Sequence, residues 1–438
     1  MNPYVQYMYS YPHKTAYRSL DGIFLHEYAA LLTGKGHGLY LHVPFCQGKC
    51  GYCNLFSVTD QDERQMGQYF DAVERQSRQY QKMLEPYGTE FSAFTIGGGT
   101  PLLLSERQLE RMFAMVKDCF SLEKTGEIGI ETAPNQTKRE KLELLKQAGV
   151  TRVSMGIQSF FDEELRVLRR GHRAERARRA LEILMNMDFP CVNVDFIYGI
   201  PGQTIESLQA SLKEAIGFGV DEIFLYPLYV KHGAGLIQEG IVLNPEYAYQ
   251  QYWEMSEYLQ SEGFRQDSMR RFVRKKIGEE PRRKFSECGF GTSLALGCGG
   301  RSYVGKLHFC TPYAVTQQSC LEQLKRFEET EDFSVVKHGI LLSEEEQKRR
   351  YVIRHLLIRP GIAKERYREI FGSSLWADFP ILERWVEEGW LQTEETEEYQ
   401  SFLSLTKKGI GLSDYLGPML ISREVSGKMQ EWETIYEP

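Results

Sequence analysis

HVPFCQGKCGYCNLF, residues 42–56, carries Cys46, Cys50 and Cys53 in the spacing C-x3-C-x2-C. Three thiols on so short a loop can converge on one metal centre. Gly48 and Gly51 let the backbone wrap tightly there, and Pro44 stiffens the approach. Iron–sulfur clusters normally take four cysteine ligands, so three would leave one iron open to an exogenous molecule. Two other readings stand beside this one: structural zinc with His42 or a distant cysteine as fourth ligand, and three unligated core cysteines. Structural zinc usually draws on two close ligand pairs, and the chain has no second C-x2-C pair. The spacing therefore favours an iron–sulfur cluster.

Outward from this loop the chain alternates. Short apolar runs at 38–43, 92–96, 127–131, 152–157, 192–197 and 222–228 read as strands. Amphipathic stretches at 62–84, 161–169, 174–187 and 204–217 read as helices. Ser105 precedes Gln108 by three positions and Thr137 precedes Glu140 likewise, so each predicts a capping box and a helix start. Strand and helix alternating six times predict a parallel sheet with right-handed crossovers. Six units fall short of the eight of a closed barrel. The expected fold is α/β, a partial (βα)6 barrel with the cysteine loop at its mouth and a smaller, mostly helical C-terminal domain.

Four segments follow from this pattern. Residues 1–37 form a tyrosine-rich arm, 38–240 the partial barrel, 241–335 a barrel extension and connecting segment, and 336–438 a C-terminal domain of winged-helix type. A helix is expected at 245–262, and a hairpin between Trp390 and Leu405.

The 438 residues carry a net charge of −7 and show no basic excess overall, which argues against a general nucleic-acid binder. No apolar run is long enough to span a bilayer. The first residues lack the charged start and apolar stretch of a signal peptide. A cytoplasmic location is expected, and nine cysteines there do not read as a disulfide framework.

HVPFC, GGGTP (97–101), VSMGIQSF (153–160), LRRGH (168–172) and VDFIYGIPGQT (194–204) together resemble the radical S-adenosylmethionine (SAM) superfamily. Within it they resemble the family of oxygen-independent coproporphyrinogen III dehydrogenase, which also holds heme chaperones, heme-degrading enzymes and two-SAM methyltransferases. The resemblance is strong over 38–230 and weaker over 285–420; the opening YSYPHKTAYR (9–18) resembles a separate branch. It implies a [4Fe–4S] cluster on Cys46, Cys50 and Cys53, one SAM on the open iron, and room for a second. It implies that Tyr40 contacts the cluster-bound SAM and that Tyr52 sits beside a second one. Gly98, Gly99 and Thr100 would line the SAM sites, and Glu131 would hold the first SAM. Gln158, Arg170 and Asp195 would line the second SAM or the equivalent pocket. The implied reaction is reductive cleavage of SAM to a 5′-deoxyadenosyl radical that abstracts hydrogen from a small, anionic, porphyrinogen-like substrate. A flavodoxin or ferredoxin would supply the electron. Methyl transfer with two SAM molecules, or a heme-handling accessory role, are the alternatives. No catalytic residue beyond the cofactor contacts is assigned.

The residues read independently agree. A Gly run after a strand permits close backbone approach to a ligand. Glu131, Gln158 and Asp195 each fall at the C-terminal end of an expected strand, the edge where βα folds build active sites. Two departures stand out. Decarboxylating members carry a further cysteine where this chain has Leu55, and the His-Asn…Tyr-Trp heme motif of the chaperones is missing ahead of the Gly-rich segment 286–303. Arg301 in that segment reads equally as an anion contact or a surface residue. The basic run 269–284 reads as a solvated face sooner than as a carboxylate or phosphate site. Cys119, Cys191, Cys288, Cys298, Cys310 and Cys320 read as small buried hydrophobes. His42 is expected to orient the cluster loop, and His172 to be structural.

Overall fold

Short apolar runs alternate with longer amphipathic ones because each strand buries one face against helices and turns the other inward. The computed structural model describes residues 2–8, 10–230, 234–236, 240–275, 290–395 and 401–436. After a two-residue strand β1 (Arg18–Ser19) come β2 (His37–Val43), β3 (Glu90–Gly98), β4 (Ser121–Thr132), β5 (Arg152–Gln158), β6 (Cys191–Tyr198) and β7 (Glu222–Pro227). These six are parallel and lie side by side in chain order. On β5, Val153, Met155 and Ile157 are fully buried in the main core. Ser154 and Gly156 between them face a cavity inside the curve of the sheet.

The crossovers are α1 (Glu63–Leu84), α2 (Glu106–Cys119), α3 (Arg139–Gln147), α4 (Asp162–Val167), α5 (Ala174–Met185) and α6 (Ile205–Phe218). Ser105 caps α2 with a capping box to Gln108. Ser105→Ala is expected to cost about 1 kcal/mol of stability in chemical denaturation, the usual worth of such a cap. The cap expected at Thr137 is not formed. Its hydroxyl donates to the Ala133 carbonyl at 3.0 Å, and α3 starts after Lys138 without a side-chain cap. The turn ahead of α3 takes the hydroxyl first. The helix expected over 161–169 is shorter, because Arg169 adopts a left-handed φ of 51°.

The sheet extends well past six strands. Along one edge β8 (Phe264–Gln266) and β9 (Arg271–Arg274) add antiparallel beyond β7. Along the other, β10 (Ser293–Leu296) pairs parallel with β2, followed by β11 (Arg301–Val304), β12 (Leu307–Cys310), β13 (His338–Leu341) and finally β1. The connecting segment expected over 241–335 is thus largely sheet, along with α7 (Pro245–Ser261) and α8 (Gln317–Glu328). Strands of two to four residues are too short to show a period.

The C-terminal part runs α9 (Glu344–Leu356), β14 (Ile362–Ala363), α10 (Lys364–Phe371), α11 (Leu375–Asp378), α12 (Ile381–Glu387), β15 (Leu391–Glu395) and β16 (Ser401–Leu405). β15 and β16 form the expected hairpin, with β14 on its other edge. α13 (Lys407–Ile410), α14 (Ser413–Met419) and α15 (Arg423–Tyr436) close the chain. The arm packs its tyrosines: Tyr4 rests on Tyr198, Tyr229 and Tyr249, and Tyr11 donates to Glu346 on α9. No helix of the described residues is long and apolar enough to cross a membrane.

Candidate active site

The cysteine loop leaves β2 at its C-terminal end and is held from several sides. The Cys46 N–H donates to the Val58 carbonyl at 3.0 Å, and the Val58 N–H to Pro44 at 2.7 Å. The Gly51 N–H donates to Leu168 at 3.0 Å, and the Gly51 carbonyl accepts the Leu236 N–H at 2.9 Å. Inside the loop the Gln47 side chain accepts from Gln136 at 2.9 Å. His42 ties down the far end. Burial lowers its pKa to about 4, so the ring is neutral. It accepts the Tyr40 hydroxyl at Nδ1 (3.2 Å) and donates from Nε2 to the Phe56 carbonyl (2.9 Å). With both nitrogens engaged, His42 is no zinc ligand, and it orients the loop as expected.

A cavity of about 600 Å³ opens over the C-terminal ends of the parallel strands. Cys46, Cys50 and Cys53 all line it, together with Tyr52, Gly98, Gly99, Thr100, Glu131, Gln158, Arg170 and Asp195. Tyr40 is the one residue of the expected set outside this lining; it lies on β2, turned to His42. Sequence reasoning missed Gln136, Asn135, Ser154, Arg169 and Tyr226, which also line the cavity. The polar run ETAPNQT (131–137) directly after β4 was the available signal for the first two. Cys288 lies outside the described residues. So does the part of the basic run beyond residue 275.

Two of the thiols, Cys46 and Cys53, are poor acids as they stand. Burial, and then neighbouring Cys50, push Cys53 up to about 12; burial also raises Cys46. They therefore bind a thiophilic metal only by releasing protons to solvent. Around the thiols the wall is built close. A Cβ on Gly99 would lie 2.6 Å from the Phe45 carbonyl and 3.0 Å from the Cys46 Sγ. Gly98 has a left-handed φ of 119°, and a Cβ there would strike the His42 ring at 2.7 Å. Only glycine allows this approach of strand to loop.

The polar lining is unusually deep. Glu131 accepts the Gly98 N–H at 3.1 Å, and Asp195 accepts from Asn193 at 2.9 Å. Arg170 donates to the Cys50 Sγ at 3.1 Å and to the Gly156 carbonyl at 2.5 Å. Arg170 Nε and Asn193 Oδ1 are buried without a hydrogen-bond partner, a condition that a polar ligand would relieve. Gln158 is held at a φ of 73°, a conformation rare outside glycine and concentrated at binding sites. His172 is structural, bonded to the Ile157 carbonyl at 3.2 Å.

Burial raises Glu131 from 4.5 to about 7 and Asp195 from 3.8 to about 6. Between the ordinary and the raised values the folded chain keeps protons that the unfolded chain has released. Stability therefore falls as pH rises through that window. The cofactor-free protein is expected to melt at a lower temperature at neutral than at mildly acidic pH. Glu131→Gln, which cannot ionise, should flatten that difference in thermal melts.

Residues 40–215 match the Radical SAM superfamily. The chain is 27% identical over 368 residues to the heme chaperone HemW of Bacillus subtilis (strain 168), a match spanning 82% of this chain and 94% of that protein. It is 29% identical over 229 residues to the oxygen-independent coproporphyrinogen III oxidase of Salmonella typhimurium, half of either chain. The solved structure of coproporphyrinogen III oxidase (HemN) from Escherichia coli superposes with a TM-score of 0.79 at 22% identity, covering 94% of this chain and 96% of that one.

The chain therefore carries a radical SAM domain, on an α/β fold of radical SAM type with a helical C-terminal region. Within that superfamily it is HemN-like, with HemW and the oxygen-independent oxidase among its relatives. The cofactors of the superfamily are a [4Fe–4S] cluster and SAM.

Proposed function

We propose that this chain is a radical SAM oxidoreductase whose cluster is held by Cys46, Cys50 and Cys53. The reading rests above all on one observation. The three cysteines and eight of the nine proposed SAM contacts line a single cavity, although they come from six separate loops and strands. When bound and reduced, the cluster supplies one electron to SAM, which splits to methionine and a 5′-deoxyadenosyl radical able to take hydrogen from substrate.

The chain's own residues bind and orient. Gly98, Gly99 and Thr100 bring backbone close to the cluster loop. Glu131 is positioned by the Gly98 N–H to hold the amino group of SAM. Asp195, positioned by Asn193, suits a ribose hydroxyl or a second ammonium. The Arg170 guanidinium suits a carboxylate. Tyr52 and Tyr226 close the walls and exclude water, which strengthens each of these contacts.

The substrate on this reading is an anionic small molecule of the porphyrinogen class, with a flavodoxin or ferredoxin as reductant. The relation to coproporphyrinogen III oxidase supports this. A second reading, a heme-handling accessory protein, is favoured by the heme chaperone relative, which this chain matches over 94% of its length. Anaerobic reconstitution with iron and sulfide, then SAM cleavage with dithionite in the presence of coproporphyrinogen III, separates the readings. Substrate-dependent 5′-deoxyadenosine with loss of substrate carboxylate supports the oxidoreductase, and S-adenosylhomocysteine would indicate methyl transfer. Stoichiometric heme binding without substrate-dependent cleavage would sink both enzymatic readings.

A further inference from the structure

The sulfurs of the cysteine loop do not have equal surroundings. The Cys46 Sγ meets the Thr100 hydroxyl at 3.8 Å, a long contact with a neutral group. The Cys50 Sγ meets a guanidinium, since Arg170 Nη1 donates to it at 3.1 Å. Lys49, next to Cys50 in the chain, is committed instead to the Val315 carbonyl. Among the described residues, Arg170 is the one cation bonded to a sulfur of this loop.

Arg170 is held in that position by its own backbone and side chain. Its N–H donates to the Leu165 carbonyl at 2.9 Å, and Arg169 just before it turns the chain with a left-handed φ of 51°. The Leu168 carbonyl accepts the Gly51 N–H at 3.0 Å. The chain after α4 therefore grips the loop twice, by backbone at Gly51 and by the guanidinium at Cys50. Nη2 is fixed by the Gly156 carbonyl at 2.5 Å. Nε is buried without a partner, so a donor is left for a ligand carboxylate while Nη1 stays on the sulfur.

A guanidinium keeps its charge at any ordinary pH. A reduced cluster carries one more negative charge than an oxidised one. A fixed positive charge against a ligand sulfur therefore stabilises the reduced form more than the oxidised form. Away from bulk water such an interaction is strong and little screened. Hydrogen bonds to the sulfurs and local charge are among the factors that set the potentials of iron–sulfur clusters.

We propose, on the reading that Cys46, Cys50 and Cys53 hold the cluster, that Arg170 is a positioning residue for electron uptake: through its bond to the Cys50 sulfur it raises the cluster's reduction potential. This role precedes any contact with substrate and is separate from the carboxylate contact of the same side chain.

The test is a redox titration of the anaerobically reconstituted protein without SAM, followed by the electron paramagnetic resonance signal of the reduced cluster. Arg170→Met removes charge and donor together and should disfavour reduction about tenfold, a fall of about 59 mV for a one-electron couple. Arg170→Lys keeps the charge without the planar fork, and its potential should lie between those of the parent and Arg170→Met. Arg166→Gln loses the same charge from an exposed position in the last turn of α4 and should keep the parent's potential. A merely structural role for Arg170 would change how much cluster the variants take up and leave its potential alone. A parent protein that takes up no four-iron cluster overturns the ligand reading and this proposal together. A potential unchanged in Arg170→Met overturns the proposal alone, as does an equal fall in Arg166→Gln. Should Arg170→Met hold no cluster, Arg170→Lys decides: a potential equal to the parent's overturns the proposal, and a lower one supports it.

Discussion

Cys46→Ala is expected to lose the brown chromophore of the anaerobically reconstituted protein and its dithionite-driven SAM cleavage together, both to below detection. With three thiolates and one open iron, the cluster has no spare protein ligand. Among the described residues no other cysteine lines the cavity: Cys119, Cys298, Cys310 and Cys320 are buried, and Cys191 starts β6. The loop itself should survive. Its shape is set by backbone bonds, among them Cys46 N–H to Val58 and Cys53 N–H to Cys50, and not by the sulfur. The melting temperature of the cofactor-free variant should therefore match that of the parent. Cys119→Ala, at the C-terminal end of α2, should keep both chromophore and cleavage. A Cys46→Ala protein that still holds a four-iron cluster and cleaves SAM would overturn the ligand assignment.

The second large effect is on stability. Arg270 and Asp414 form an ion pair whose side chains are 6% and 2% exposed. Tyr229 also donates to Asp414 at 2.5 Å, and Arg270 lies 3.8 Å from the Tyr7 ring centre. One pair thus joins the arm, the end of β7, the start of β9 and α14. Breaking a buried pair from one side leaves an uncompensated charge, which costs about 3–5 kcal/mol. Asp414→Ala should lower stability by that order in chemical denaturation. Replacing both partners, Arg270→Met with Asp414→Leu, should recover much of the loss, since the stranded charge is then gone. A double variant no more stable than Asp414→Ala would show that the pair is not the cause.

Much of the site was legible from residue types at strand ends. Glu131 and Gln158 are polar residues near the ends of apolar runs and Asp195 interrupts one; a polar side chain stands there because a ligand, not a helix, is its neighbour. The cysteine loop was legible because its spacing is local. What was hidden is what depends on distant pairing. Gln136 meets Gln47 across 89 positions, and β10 meets β2 from more than two hundred residues away; neither leaves a local period. Arg301 illustrates the same limit. Its basic side chain neither binds an anion in the cluster cavity nor points to solvent, but donates to Ser10 and the Pro12 carbonyl of the arm.

That arm has a consequence for how the protein is made. Several partners of the arm lie at the far end of the chain and are synthesised long after it. β1 pairs with β13, the Gln6 N–H donates to the Asp414 carbonyl at 3.1 Å, and Arg18 reaches the Lys428 carbonyl on α15 at 2.6 Å. The six parallel strands can assemble while the chain is still emerging, but β2 waits for β10 and the arm waits for the last helices. Pairing of β1 with β13 and the Arg18 contact with α15 can close only once the C-terminal region has been made.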